Sequence, residues 1–276
     1  MAITAGQVKE LRERTGAGMM DCKKALEETN GDMEAAIDLL RSRGAAKAAK
    51  RAAKEASEGV VGSHVAGGVG ALVELNCETD FVARTDDFQG LARELAEHVV
   101  EHGSVNGAGD PETLLEERFR GGDRTVGEVV TQVSAKTGEK IVVRRFTRYA
   151  GDGAQLGSYV HMTGKIGVLV ELGGEAGEAL ARDVAMHIAA ARPLAVTAAE
   201  LPRDVVERER GVYLEQVRQE GKPDAIQARI VEGKLKRFYK ETALLEQPFV
   251  KDPDRTVHEL VGDAGVRRFV RYELGE

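Results

Sequence analysis

The chain has 276 residues, of which 42% are hydrophobic and 31% charged, with 39 basic against 46 acidic side chains and a net charge of −7. That balance excludes wholesale disorder and leaves room for two or three separately cored domains. Only a local basic patch could hold nucleic-acid phosphates against this acidic total, and with 4% aromatic residues and no Trp base stacking has little support; a protein partner is expected.

The first 44 residues read as three short helices. Thr4 and Gln7 form a capping box, with Ile3 and Val8 at the staple positions around it. "TGAGMM" interrupts the first helix. Asp21 is expected to cap the second, which presents Cys22, Ala25 and Leu26, and Asp32 the third, with Met33, Ile37 and Leu40 at helical spacing. Neither Cys22 nor Cys77 has a CxxC or Cys/His companion, so neither a disulfide framework nor a zinc site is signalled, and a reducing cytoplasm fits. The start "MAITAGQVKE" lacks the features of a signal peptide, and no apolar run approaches about 18 residues. Neither export nor a membrane span is expected.

Residues 45–58, "AAKAAKRAAKEASE", favour helix by intrinsic propensity alone and read as a basic helical linker. Lys47, Lys50, Arg51 and Lys54 recur every three or four residues as one cationic stripe, which is either a solvated face or a surface for an acidic partner.

Beyond residue 58 the chain repeats itself. "VGALVEL" (69–75) matches "IGVLVEL" (166–172), "LARELAEHV" (91–99) matches "LARDVAMHI" (180–188), "DRTVGEVV" (123–130) matches "DRTVHELV" (254–261), and "VRRFTRY" (143–149) matches "VRRFVRY" (266–272). Two related α+β subdomains are expected, 59–150 and 151–196 with 247–276, each a small antiparallel sheet covered by helices. Residues 197–246 interrupt the second copy with helices at about 203–219 and 224–245, joined at "EGKP". Val205, Val212 and Val217 facing Ile226, Ile230, Leu235 and Phe238 predict a protruding helical hairpin. The fold class is therefore α+β multidomain.

Between strand and helix the first copy has 15 residues (76–90) and the second has 7 (173–179). The surplus of eight contains "TDFVAR", set among Glu74, Glu78, Asp80, Asp86 and Asp87. Since the second copy joins the same elements without it, closing the connection is not its purpose. Phe81 either folds back onto its own sheet, with Asp80 capping the next helix, or anchors in a partner's pocket. The surplus favours the anchor.

No GxxxxGK[ST] or GxGxxG cradle for phosphates occurs. His98 and His102 share a helix face and could ligate a metal beside Glu101, but His187 occupies the repeat position of His98 without a second His four residues on, which favours a structural role. No catalytic residue, metal site or cofactor is expected.

"VKELRERTGAGMMDCKKAL" with "NGD", then "NCETDFVAR", then "GKP…VEGKLKRF…QPFV", in this order and across essentially the whole chain, resemble the elongation factor Ts family, bacterial guanine-nucleotide exchange factors for elongation factor Tu. The resemblance implies a cytoplasmic translation factor without covalent catalysis. Its parts would be an N-terminal three-helix domain of the ubiquitin-associated type, a core of two pseudo-repeated subdomains, and a hairpin through which some members dimerise. It implies that Thr79, Asp80, Phe81 and Val82 dislodge the partner's magnesium, the Phe wedging between two helices of the GTPase domain, and that Met19, Met20, Lys23, and Lys50 or Arg51 are further contacts. Direct binding to nucleic acid or membrane is not implied. Family members often continue into a C-terminal helix that touches the partner, whereas this sequence stops at "VRYELGE", so that contact is expected to be missing.

Overall fold

A computed structural model describes residues 3–221 and 223–276. Lys222 in the "EGKP" joint, like Met1 and Ala2, lies outside them.

Helix α1 (Ala5–Thr15) starts at the expected capping box: Gln7 N–H donates to Thr4 Oγ1 at 3.3 Å and Thr4 N–H to the Gln7 side chain at 3.0 Å. Helices α2 (Met19–Glu28) and α3 (Met33–Lys50) follow, the latter capped by Asp32. Their apolar stripes meet in a cluster of Leu11, Cys22, Ala25, Leu26 and Ala36, with Ile3 and Val8 packed against it. Two local expectations fail. Asp21 lies inside the first turn of α2, whose N-cap is Gly18, and its carboxylate pairs with Lys47 at 3.2 Å. Residues 45–58 are not one helical linker: α3 runs unbroken past residue 44 to Lys50, after which residues 51–54 turn, the Lys140 Nζ donating to the carbonyls of Ala52 (2.7 Å) and Lys54 (3.0 Å).

The first copy of the repeat comprises β1 (Glu58–Ala66), β2 (Val69–Cys77), α4 (Asp80–Ala83), α5 (Asp86–His102), β3 (Gly107–Gly109), α6 (Pro111–Glu116), α7 (Val126–Thr137) and β4 (Val142–Ala150). Its antiparallel sheet has the order β1-β2-β4-β3. The second comprises β5 (Gln155–Val160), β6 (Ile166–Leu172), α8 (Glu178–Ala191), the hairpin α9 (Arg203–Gln219) and α10 (Asp224–Thr242), the ribbon β7 (Pro248–Phe249) and β8 (Asp252–Thr256), α11 (Val257–Val261) and β9 (Val266–Glu273). Its sheet has the order β5-β6-β9. The copies agree in detail: both central strands bulge at the same place, between Glu74 and Leu75 and between Glu171 and Leu172, and Thr125 with Glu128 and Thr256 with Glu259 form matching capping boxes.

Strand alternation sends Ala71, Val73 and Leu75 of β2 into the core under α5, and Val168, Val170 and Leu172 of β6 into the core under α8. The opposite faces meet each other. Val61, Leu72 and Tyr149 of one sheet interleave with Leu156, Leu169 and Tyr272 of the other, so the layers run helix, sheet, sheet, helix. Equivalent glycines allow this approach: a Cβ on Gly70 would lie 2.7 Å from Leu169 Cδ1, and one on Gly167 2.4 Å from Val61 Cγ1.

Two equivalent carboxylates, Glu74 and Glu171, are buried on these facing surfaces, so Glu74 belongs to the interior and not to an acidic loop. Arg145 Nε donates to Glu74 at 2.6 Å while its guanidinium lies 4.3 Å over Tyr272 of the other copy. Reciprocally, Arg268 Nε donates to Glu171 at 2.6 Å and its guanidinium lies 4.0 Å over Tyr149.

The hairpin seam consists of Val217, Val231 and Leu235, flanked by Val206, Tyr213, Leu214, Ile230 and Tyr239. Val212 and Ile226, expected in it, are exposed. Each stands five residues from a buried seam position, about 140° around its helix.

Breaking a buried ion pair from one side strands the remaining charge, at a cost of about 3–5 kcal/mol. Arg145→Ala is expected to lower the unfolding free energy by about 3 kcal/mol in urea denaturation. Arg268→Ala should cost less, because Arg267 Nη1 remains 3.2 Å from Glu171.

Candidate functional site

The segment singled out by its exposed-looking Phe is not a long loop. Strand β2 continues to Cys77 and α5 begins at Asp86, capped by Thr85, so the connection is residues 78–85 and contains the single turn α4. The matching connection between β6 and α8 is residues 173–177. Of the eight surplus residues, three therefore lengthen the connection, while the others extend β2 and the start of α5.

Within α4 the side chains divide. Thr79, not Asp80, is the N-cap: its Oγ1 accepts the Val82 N–H at 3.4 Å. Asp80 sits in the first turn and accepts from Arg84 Nη2 at 2.8 Å. Val82 is half-buried against the first core and Ala83 is buried, so these two hold the turn to its sheet. Phe81 is 80% exposed. It does not fold back onto its own sheet, and its ring stands in water at an apolar cost that folding leaves unrecovered.

Two carboxylates fix the turn from outside. Glu139, between α7 and β4, accepts the N–H of Glu78 at 3.1 Å and of Thr79 at 3.0 Å on Oε2, and the Thr79 hydroxyl at 2.6 Å on Oε1. Glu78 accepts the Lys140 N–H at 2.6 Å and Arg51 Nη1 at 2.6 and 2.7 Å. The Lys140 N–H, and after it Arg51, hold this carboxyl below the usual range. Beneath the turn Cys77 is buried and donates to the Thr79 carbonyl at 3.2 Å; burial pushes its thiol up to about 12, which leaves it unreactive.

The other residues picked from the sequence fall into two groups. Met19 and Met20 are 58% and 63% exposed at the start of α2, with Lys23 one turn on and paired to Glu27 at 3.7 Å. Lys50 is exposed at the end of α3. Arg51 is committed to Glu78 and Lys47 to Asp21, so the cationic stripe is broken by internal ion pairs. These same pairs link the start of α2, through α3, to the turn that carries Phe81. Sequence reading missed Glu139 and Lys140 altogether. They lie about sixty residues from their partners, and no local pattern couples positions so far apart.

His98 and His102 do share one face, their rings tilted with centroids 5.3 Å apart, but both nitrogens of buried His98 are taken: Nε2 lies 2.9 Å from Glu117 and Nδ1 accepts the Arg120 N–H at 3.0 Å. His187 repeats the arrangement with Gln247 at 2.9 Å and the Val250 N–H at 3.3 Å. Each ring pins a distant loop. Among the described residues no group of three or more His, Cys, Asp or Glu is placed to hold a metal ion, and no helix is long and apolar enough to cross a membrane.

Comparison with known proteins places this chain beside elongation factors Ts. A family model described as Elongation factor TS matches residues 78–276, starting at the head of this turn. The Elongation factor Ts of Alkalilimnicola ehrlichii is 48% identical over 281 residues, which covers 100% of this chain and 93% of that relative.

Because the Phe81 ring is exposed and Val82 is not, Phe81→Ala is expected to change the unfolding free energy by less than about 0.5 kcal/mol, and Val82→Ala to lower it by about 1 kcal/mol, in urea titrations. A pH dependence follows from the histidines. Burial lowers the pKa of both His98 and His187, so their neutral forms contribute stability that is complete above about pH 6.5 and is lost as the pH falls through the folded-state values. Unfolding free energies measured from about pH 7.5 down to about 5.5 should fall, by at most about 1.4 kcal/mol per pH unit for each ring. In His187→Gln the slope should be shallower.

Proposed function

The chain belongs to the elongation factor Ts family and is a translation elongation factor, and from that premise we propose that it is the guanine-nucleotide exchange factor of elongation factor Tu, acting through Thr79, Asp80, Phe81 and Val82. The observation that supports this reading is the exposed Phe81 ring on a turn whose other apolar residues are tied to the core.

Exchange needs no covalent step. A protein that binds the nucleotide-free GTPase better than the loaded one weakens nucleotide binding by the same factor, by linkage. Burying the Phe81 ring in the partner contributes about 1.5–3 kcal/mol, or about 10- to 150-fold. A nanomolar site corresponds to about 12 kcal/mol, so the ring does not empty it alone. The remainder comes from displacement of the magnesium whose charge holds the phosphates, and from the other contacts that anchor the wedge. Asp80, next to Phe81 in the turn, is paired with Arg84 in the free chain and would add negative charge only once that pair opens.

Met19, Met20 and Lys23 form the second contact, two exposed thioethers beside a cation, and Met side chains adapt well to a partner's surface. Lys50 is the better candidate of the linker pair, since Arg51 is occupied by Glu78. In this scheme residues 1–44 and 59–150, joined by 45–58, face the GTPase domain of elongation factor Tu. Residues 151–196 with 247–276 face its third domain, and the hairpin within 197–246 is available to a second copy of the chain.

Stopped-flow release of a fluorescent GDP analogue from elongation factor Tu tests the proposal. The wild-type chain should accelerate release, and Phe81→Ala should slow it at least about tenfold while a complex still forms. An unchanged rate with the variant overturns the role of the turn. Binding by the wild-type chain without acceleration would make the protein an adaptor instead.

A further inference from the structure

We propose that Glu139 is a positioning residue for exchange: it sets the orientation in which Phe81 is presented, an inference that rests on the reading of the turn given above. A four-residue helix does not hold itself together, because helix nucleation is unfavourable and so short a segment recovers little of the cost. The geometry of α4 is therefore imposed from outside. Glu139 does this with one carboxylate, which accepts the N–H groups of Glu78 and Thr79 and the hydroxyl of the capping Thr79. That hydroxyl in turn accepts the Val82 N–H. A continuous path of hydrogen bonds thus leads from Glu139 through the cap to both sides of Phe81.

The base of this path is itself fixed. Gly138 closes α7 in a left-handed conformation, and the Glu139 carbonyl accepts Ser134 Oγ at 2.5 Å. The second copy supplies the contrast. There, among the described residues, the connection after β6 is tied to the loop before β9 by main chain alone, the Gly173 N–H donating to the Ala264 carbonyl at 2.9 Å. Closing the fold at this point does not need a carboxylate. The first copy uses one where the exposed ring has to be aimed; for reacting groups a misplacement of about 1 Å costs up to about a hundredfold in rate.

The test is a double-mutant cycle on GDP release from elongation factor Tu, with the maximal rate and the half-saturating concentration of the factor measured separately. Glu139→Ala should lower the maximal rate about tenfold and change the half-saturating concentration less than about twofold. Added to Phe81→Ala, it should slow release less than about twofold further, because both changes act through one ring. Glu139→Gln should recover most of the rate, since its amide oxygen still accepts both N–H groups. Glu139→Asp, which keeps the charge but shortens the reach, replaces the Ala variant if that chain does not fold. A Glu139 effect that multiplies the Phe81→Ala effect in full overturns the role of Glu139 and leaves the turn standing. A Phe81→Ala variant with wild-type release overturns the turn and this inference together.

Discussion

The contact between the two sheets is the constraint on which the rest of the molecule depends. A buried carboxylate costs several kcal/mol unless a cation and further hydrogen bonds compensate it, and here two of them, Glu74 and Glu171, sit at equivalent positions on the facing surfaces. Each is answered by an arginine of its own copy, and each arginine lies across a tyrosine of the other copy. The pairing therefore does more than neutralise charge, because it also sets how one sheet lies on the other. With those faces committed to each other, the helices must cover the outer faces. The end of β2 then falls at the rim, beside α7 and the close of α3.

Departures from the internal symmetry mark where the copies have diverged. Helix α7 has 12 residues and its counterpart α11 has 5. The longer helix is the dock for the N-terminal helices: Arg41 pairs with Glu128, Gln132 donates to the Thr15 carbonyl at 2.7 Å, and Gly44 packs on Ala135. In the second copy the chain between α8 and α11 is given over to the α9–α10 hairpin, which packs chiefly on itself. The first copy thus carries the N-terminal helices and the Phe81 turn, while the second carries the arm.

Much of the architecture could be read from residues close together in the chain. Capping boxes, the α1–α3 apolar stripes, the repeats and the hairpin are local patterns governed by backbone hydrogen bonding and helical or strand periodicity. The exposure of Phe81 was also anticipated, from comparison of the two connections. What escaped was settled at longer range. Asp21 looks like a cap but sits within the first turn of α2, its carboxylate paired with Lys47. Arg51 looks like part of a free cationic face until Glu78 is seen opposite it, and Glu139 carries no local signal at all. Val212 and Ile226 were misplaced because two apolar faces were compatible with the spacing, and only the packed hairpin decides between them.

Gly44 carries a consequence for the encounter with a partner. A methyl carbon there would lie 3.2 Å from the Ala135 Cβ, so the two helices would have to give by a few tenths of an ångström. With the close contact made, α3 lies directly on α7 and is joined by ion pairs both to the start of α2 and to the turn that carries Phe81. Two patches held in this way engage a common target as a unit. Once the first has landed, the second meets its site at the effective concentration of an intramolecular reaction, and little ordering entropy is left to be spent at that step. On the exchange-factor reading proposed above, the absence of one methyl group thus favours a two-point engagement.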